Sequence, residues 1–123
     1  RALCEAGAHV IFNGRNENRL KDAEGELRGQ GHSVEYAAFD VADFARVRSF
    51  MAARERIDII VNNAIAMTPA PFASLTAEAF DQTYRSSVTA AFELVRAALP
   101  ALKAPGRGSV VNVASMYGSV ADD

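Results

Sequence analysis

Ile59-Ile60-Val61-Asn62-Asn63-Ala64 and Ser109-Val110-Val111-Asn112-Val113-Ala114-Ser115 are the two stretches that decide the fold. Each is a short aliphatic run closed by small polar residues, the pattern of a buried strand emerging from a parallel sheet. Open parallel α/β sheets bind their ligands in the crevice outside the carboxyl ends of the strands. Chemistry is therefore expected just after Val61 and just after Val113.

Around these two strands the chain alternates strand and helix. Residues 9–13 (His-Val-Ile-Phe-Asn) read as a strand following Gly7, which closes a helical end over residues 1–6. Leu20, Ala23 and Leu27 recur at helical spacing in a charged stretch, so residues 17–28 are predicted to form a surface helix stopped by Gly29 and Gly31. Residues 34–39 read as the next strand, ending at Asp40-Val41. Phe44, Val47, Phe50 and Met51 mark a helix running to about Arg56, with the third strand at residues 57–61. Pro69 and Pro71 mark a loop. Thr76 then caps a long helix on which Phe80, Tyr84, Val88, Ala91 and Val95 share a face, closed or bent by Pro100. Pro105-Gly106-Arg107-Gly108 is a turn into the fourth strand. This alternation predicts parallel βαβ units in a single α/β domain: a doubly wound sheet covered by helices on both faces.

Composition excludes several classes. The 123 residues carry a formal net charge of −2, so there is no basic surface for nucleic acid. Cys4 is the single cysteine, which rules out an intrachain disulfide. No apolar run approaches the ~18 residues that suggest a membrane span, and no signal peptide is recognisable at Arg1. A cytoplasmic protein without membrane or nucleic-acid partners is expected, and no metal-ligand set is assigned.

The strand ends Asn62-Asn63-Ala64 and Ala114-Ser115, at this spacing, resemble the short-chain dehydrogenase/reductase family. The resemblance implies a Rossmann-type, three-layer α/β/α fold and an NAD(P)-dependent oxidoreductase. Such an enzyme transfers a hydride between nicotinamide and a carbonyl or alcohol substrate. The resemblance covers essentially the whole chain and corresponds to the middle of a typical member. The glycine-rich phosphate loop and the Tyr-x-x-x-Lys pair are expected outside these residues, so the residues alone are expected to be inactive.

Residue by residue, the resemblance assigns Ser115 as the hydroxyl that orients the substrate oxygen. No Gly-x-Ser-x-Gly elbow surrounds it, so it is not read as a nucleophile. Ser87 falls where the family carries the Asn of its catalytic tetrad. The position that is usually acidic at the adenosine ribose falls on Gly14, and Arg15 follows it. An Arg there accommodates a 2′-phosphate, which a carboxylate would repel, so NADP(H) is favoured while NAD(H) remains open. Asp40 and Val41 lie at the adenine site. Asp43 is the expected helix cap, which leaves the Asp40 carboxylate for the base. Asn63, Ala64 and Ile65 lie against the cofactor, with Ile65 departing from the usual Gly, and a β-branched residue tolerates positive φ poorly. Met116 and Tyr117 are expected to line an apolar substrate pocket; Ala121 stands four residues after Tyr117, so Tyr117 is not the tetrad Tyr. Relatives often assemble as tetramers or dimers through the long helix, so a homo-oligomer is expected. Two rival readings stand beside this one: a catalytically silent cofactor-binding or scaffold member, and an unrelated flavodoxin-like module.

Overall fold

The computed structural model describes residues 1–67 and 69–115. The chain divides into two units, residues 1–40 and 41–123.

In the first unit, helix α1 (Ala2–Glu5) leads through Gly7 into strand β1 (Val10–Gly14). Gly7 has φ +87°, and the Ala8 N–H donates to the Leu3 carbonyl at 3.0 Å. Helix α2 (Glu17–Gly29) follows; its N-cap is Asn16, whose side chain accepts the Arg19 N–H. Gly31, at φ +84°, turns the chain out of α2, and the His32 N–H returns to the Leu27 carbonyl. Strand β2 (Val34–Ala38) then pairs parallel with β1, from Val10↔Val34 to Gly14↔Ala38. Leu20, Cys4, Val34 and Ala37 are buried here. Gly14 packs closely on α2: a Cβ on it would stand 3.2 Å from Leu20 Cδ2, which would have to give by a few tenths of an ångström.

The second unit opens with helix α3 (Phe44–Ala52), capped as expected by Asp43, whose carboxylate accepts the Arg46 N–H at 3.0 Å. The helix stops four residues before Arg56. The chain must turn early because the Ile57 N–H reaches the Ala101 carbonyl at 3.0 Å on its way into strand β3 (Ile59–Asn62). The loop after β3 contains a short 3-10 turn, Phe72–Ser74. Thr76 caps helix α4 (Ala77–Tyr84), accepting the Ala79 N–H at 3.2 Å.

The expected long helix then widens into a π turn (Arg85–Thr89), in which the Ala90 N–H bonds to the Arg85 carbonyl, before helix α5 (Ala90–Lys103). Pro100 neither closes nor ends α5. It removes one backbone N–H, but Ala98, Ala101 and Leu102 on either side are buried, and that burial carries the helix across the lost bond. Strand β4 (Ser109–Asn112) pairs parallel with β3, from Ile59↔Ser109 to Asn62↔Asn112. The turn before β4 places Gly108 against the Leu102 carbonyl, where a Cβ would collide.

The core of this unit is Met51, Ile60, Ala98 and Leu102, with Leu94, Val95 and Ile57 packed against it. Val47 is fully buried. Among the described residues of this unit, one face of the strand pair is covered. Ile60 is buried, whereas Ile59, Val61, Val110 and Val111 are 40–51% exposed. Within the unit, that cover comes from helices α3 and α5, whose Met51, Ala98 and Leu102 pack on Ile60. Phe80, Tyr84 and Val88 face outward. No helix among the described residues is long and apolar enough to cross a membrane.

Candidate active site

Two strand-end clusters carry the assigned residues. At the end of β1, Gly14 hands over to Arg15 and Asn16 directly before α2. The Arg15 side chain is 71% exposed, and its Nη1 lies 3.9 Å from Asp40 Oδ2. Arg15 and Asp40, two of the residues assigned to the adenosine end of the cofactor, are therefore neighbours. Asp40 does not stand unengaged, as expected from the capping argument; its carboxylate faces the Arg15 guanidinium because the chain turns back over the end of β1. Asn13 makes that turn. Its Nδ2 donates to the Ala37 and Phe39 carbonyls, at 2.8 and 3.1 Å, and the Phe39 N–H donates to the Gly14 carbonyl. Sequence pattern marks Asn13 only as the last residue of a strand; the side-chain role comes from the structure. A polar residue closing an aliphatic run is the signal that marks it.

This end suits an anionic group. The planar Arg15 fork is exposed beside the N-terminus of a 13-residue helix, where backbone N–H groups and the helix dipole favour negative charge. Glu17 also sits in that first turn. Its carboxyl is held below the usual range by hydrogen bonds from Lys21 and Tyr36, and the Lys21 ammonium at 3.0 Å offsets its charge.

At the other cluster, β3 and β4 end side by side. Asn62 Nδ2 donates to Asn112 Oδ1 at 2.8 Å, and the Val113 N–H donates to the Asn62 carbonyl at 2.9 Å. The first of these bonds pairs the amides that close the two aliphatic runs with each other. Both bonds keep the two strand ends in step, so that Asn63 leaves β3 beside the segment leading to Ser115. Asn63, Ala64, Ile65 and Ser115 are all exposed. Ile65 is accommodated without strain: among the described residues, positive φ occurs only at glycine, so the loop takes a form that a β-branched residue adopts freely. Its side chain is 61% exposed.

The π turn stands against this loop. Ser86 Oγ accepts the Ala66 N–H at 3.0 Å and lies 3.0 Å from the Thr83 carbonyl. Ser87 Oγ donates to the Thr83 carbonyl at 2.6 Å. The hydroxyl of Ser87 thus gives its proton to the helix one turn back and retains only acceptor capacity. A π turn at this position is itself informative, since such single-turn widenings concentrate at functional sites. Met116 and Tyr117 lie outside the described residues.

Residues 1–122 match the family described as short chain dehydrogenase. This chain belongs to the short-chain dehydrogenase family. It is 33% identical over 125 residues to gluconate 5-dehydrogenase of Gluconobacter oxydans, covering 98% of this chain and 49% of that protein. It is 34% identical to D-beta-hydroxybutyrate dehydrogenase of Cupriavidus necator, covering 98% of this chain and 48% of that one. Among solved structures, a gluconate 5-dehydrogenase from Burkholderia cenocepacia, crystallised with NADP and tartrate, superposes with a TM-score of 0.86. That structure is 32% identical, and the match covers 99% of this chain and 49% of that one. The chain spans about half the length of these relatives. The short-chain dehydrogenase fold is thereby shown as an α/β fold of Rossmann type, and the flavodoxin-like alternative falls.

Proposed function

We propose that the protein to which these residues belong is an NADP(H)-preferring oxidoreductase acting on a carbonyl or alcohol. The observation that carries this reading is the meeting of two strand ends, Asn62–Asn112, with Ser115 just beyond, in a short-chain dehydrogenase chain. In this reading Arg15 grips the cofactor's 2′-phosphate, and Asp40 and Val41 hold the adenine. Asn63 lines the adenosine side, with Ala64 and Ile65 beside the cofactor. The bound nicotinamide supplies or accepts the hydride. Ser115 donates its hydroxyl hydrogen to the substrate oxygen, orients it and excludes a competing water. Ser87, with its proton committed to Thr83, accepts a hydrogen bond from a water in the proton relay.

The same helix supports self-association. Phe80, Tyr84, Val88 and Phe92 recur every four residues and are 47–61% exposed, an apolar stripe longer than scattered surface residues produce. A homo-oligomer that buries this stripe is the reading it favours.

The test is to follow nicotinamide absorbance in the complete protein with NADPH and a panel of ketones, keto acids and sugars. Oxidation of NADPH by at least one carbonyl compound supports the reading. Tight NADPH binding with no turnover across the panel would favour a catalytically silent member instead.

A further inference from the structure

Ser86 is a polar side chain buried to 6% exposure in the π turn, next to the Ser87 of the proposed relay. A small helix residue bonding back to the Thr83 carbonyl would explain one of its contacts. It does not explain why the same hydroxyl accepts the Ala66 N–H at 3.0 Å, with the Ala66 carbonyl at 3.4 Å. Ala66 directly follows Ile65, so the bond fixes the end of the loop made of Asn63, Ala64 and Ile65.

The adjacent residue does the same for a second segment. Arg85 Nη2 donates to the Ala42 carbonyl at 3.1 Å, and its guanidinium carbon stands 4.3 Å from the centre of the Phe44 ring. Ala42 directly follows Val41. Two consecutive residues of one turn thus hold the two segments that carry Val41 and Asn63. In a helix successive side chains point in divergent directions, so one turn can reach both segments only if they flank it.

We propose that Arg85 and Ser86 are positioning residues for the dinucleotide. They act through the backbone of Ala42 and Ala66, and touch neither cofactor nor substrate. The inference rests on the cofactor reading given above. It also explains how the loop keeps its shape with Ile65 in place of glycine: an external hydrogen bond supplies the order that tight backbone geometry would otherwise provide.

The experiment uses the complete protein and the variants Ser86→Ala, Ser86→Thr, Arg85→Ala and Arg85→Lys. NADPH affinity is measured by fluorescence titration, kinetics by absorbance, and the Ala66 amide by hydrogen exchange. Losing one backbone anchor is expected to weaken NADPH binding by about 3–10-fold, the range of a single hydrogen bond. The KM for NADPH rises more than kcat falls, and the KM for the carbonyl substrate stays level. The Ala66 amide exchanges faster in Ser86→Ala, and Ser86→Thr, which keeps the hydroxyl, recovers both affinity and protection. Arg85→Ala disturbs no buried side chain, so it gives the same cofactor-specific change even if Ser86→Ala folds poorly. Unchanged NADPH affinity in Arg85→Ala overturns the proposal, as does a Ser86→Thr variant no better than Ser86→Ala. Failure of the unmutated protein to bind NADPH refutes the cofactor reading and this inference with it. Normal binding by the unmutated protein and by both alanine variants refutes this inference alone.

Discussion

Replacing Arg15 with Ala tests the cofactor reading at a residue with no packing role. Its side chain is 71% exposed, and it faces the Asp40 carboxylate at 3.9 Å, itself 48% exposed. A hydrogen bond to a charged group contributes about 1.5–3 kcal/mol, and an exposed, solvent-screened site sits at the low end. About 1.5 kcal/mol corresponds to roughly a tenfold fall in kcat/KM with NADPH. NADH lacks the 2′-phosphate, so its kcat/KM is expected to stay within about twofold, a difference of well under 1 kcal/mol. The lost Arg15–Asp40 pair is a surface pair worth about 1 kcal/mol at most, so Tm falls by no more than about 2–4 °C in a chain of the relatives' length. Arg15→Lys keeps the charge without the planar fork and is expected to fall between the two. The assay is steady-state kinetics of the complete enzyme with each cofactor at saturating carbonyl substrate. Equal kcat/KM for NADPH and NADH in the unmutated enzyme would refute the reasoning, and so would an Arg15→Ala loss shared equally by both cofactors.

Three further outcomes follow. Ser115→Ala is expected to lower turnover by at least about 100-fold, the lower range for a group acting on a reacting oxygen, while NADPH affinity measured by titration barely changes. Ser87→Asn restores the usual family residue in the partly buried π turn; if Ser87 serves the relay, turnover holds or rises and the pH–rate profile shifts. A variant destabilised by about 1–3 kcal/mol with an unshifted profile would instead mark Ser87 as a packing residue. The paired change Tyr84→Glu and Phe92→Glu places charge in the exposed apolar stripe and is expected to dissociate the oligomer in sedimentation velocity. An unmutated protein that sediments as a monomer would remove that interface.

The helical caps and most element boundaries were legible because each has a local cause. Asp43 and Thr76 accept the N–H groups expected of caps, and Gly7 and Gly31 occupy left-handed turns. The strand ends were legible for a similar reason: aliphatic runs closed by Asn need partners for their amides, and Asn62 and Asn112 meet each other. What escaped the sequence depends on tertiary context. Pro100 is tolerated because its neighbours are buried, which no local rule records. The π turn leaves no mark in hydrophobic periodicity, since Phe80, Tyr84, Val88 and Phe92 keep a regular spacing through it. Ser86 has the sequence signature of any small helical residue, and only the fold brings its hydroxyl to the Ala66 amide. The even aliphatic character of both strands suggested burial on two faces, but pattern alone does not say which elements supply the cover. Asp40 was separated correctly from the cap, yet its pairing with Arg15 depends on the turn that Asn13 holds.

The most direct measurement is a fluorescence titration of the complete, unmutated protein with NADPH and, separately, NADH. Saturable binding of NADPH, at least about tenfold tighter than NADH, is the expected result and corresponds to the ~1.4 kcal/mol that one exposed guanidinium–phosphate contact provides. No saturable binding of either nucleotide would contradict the account at its base.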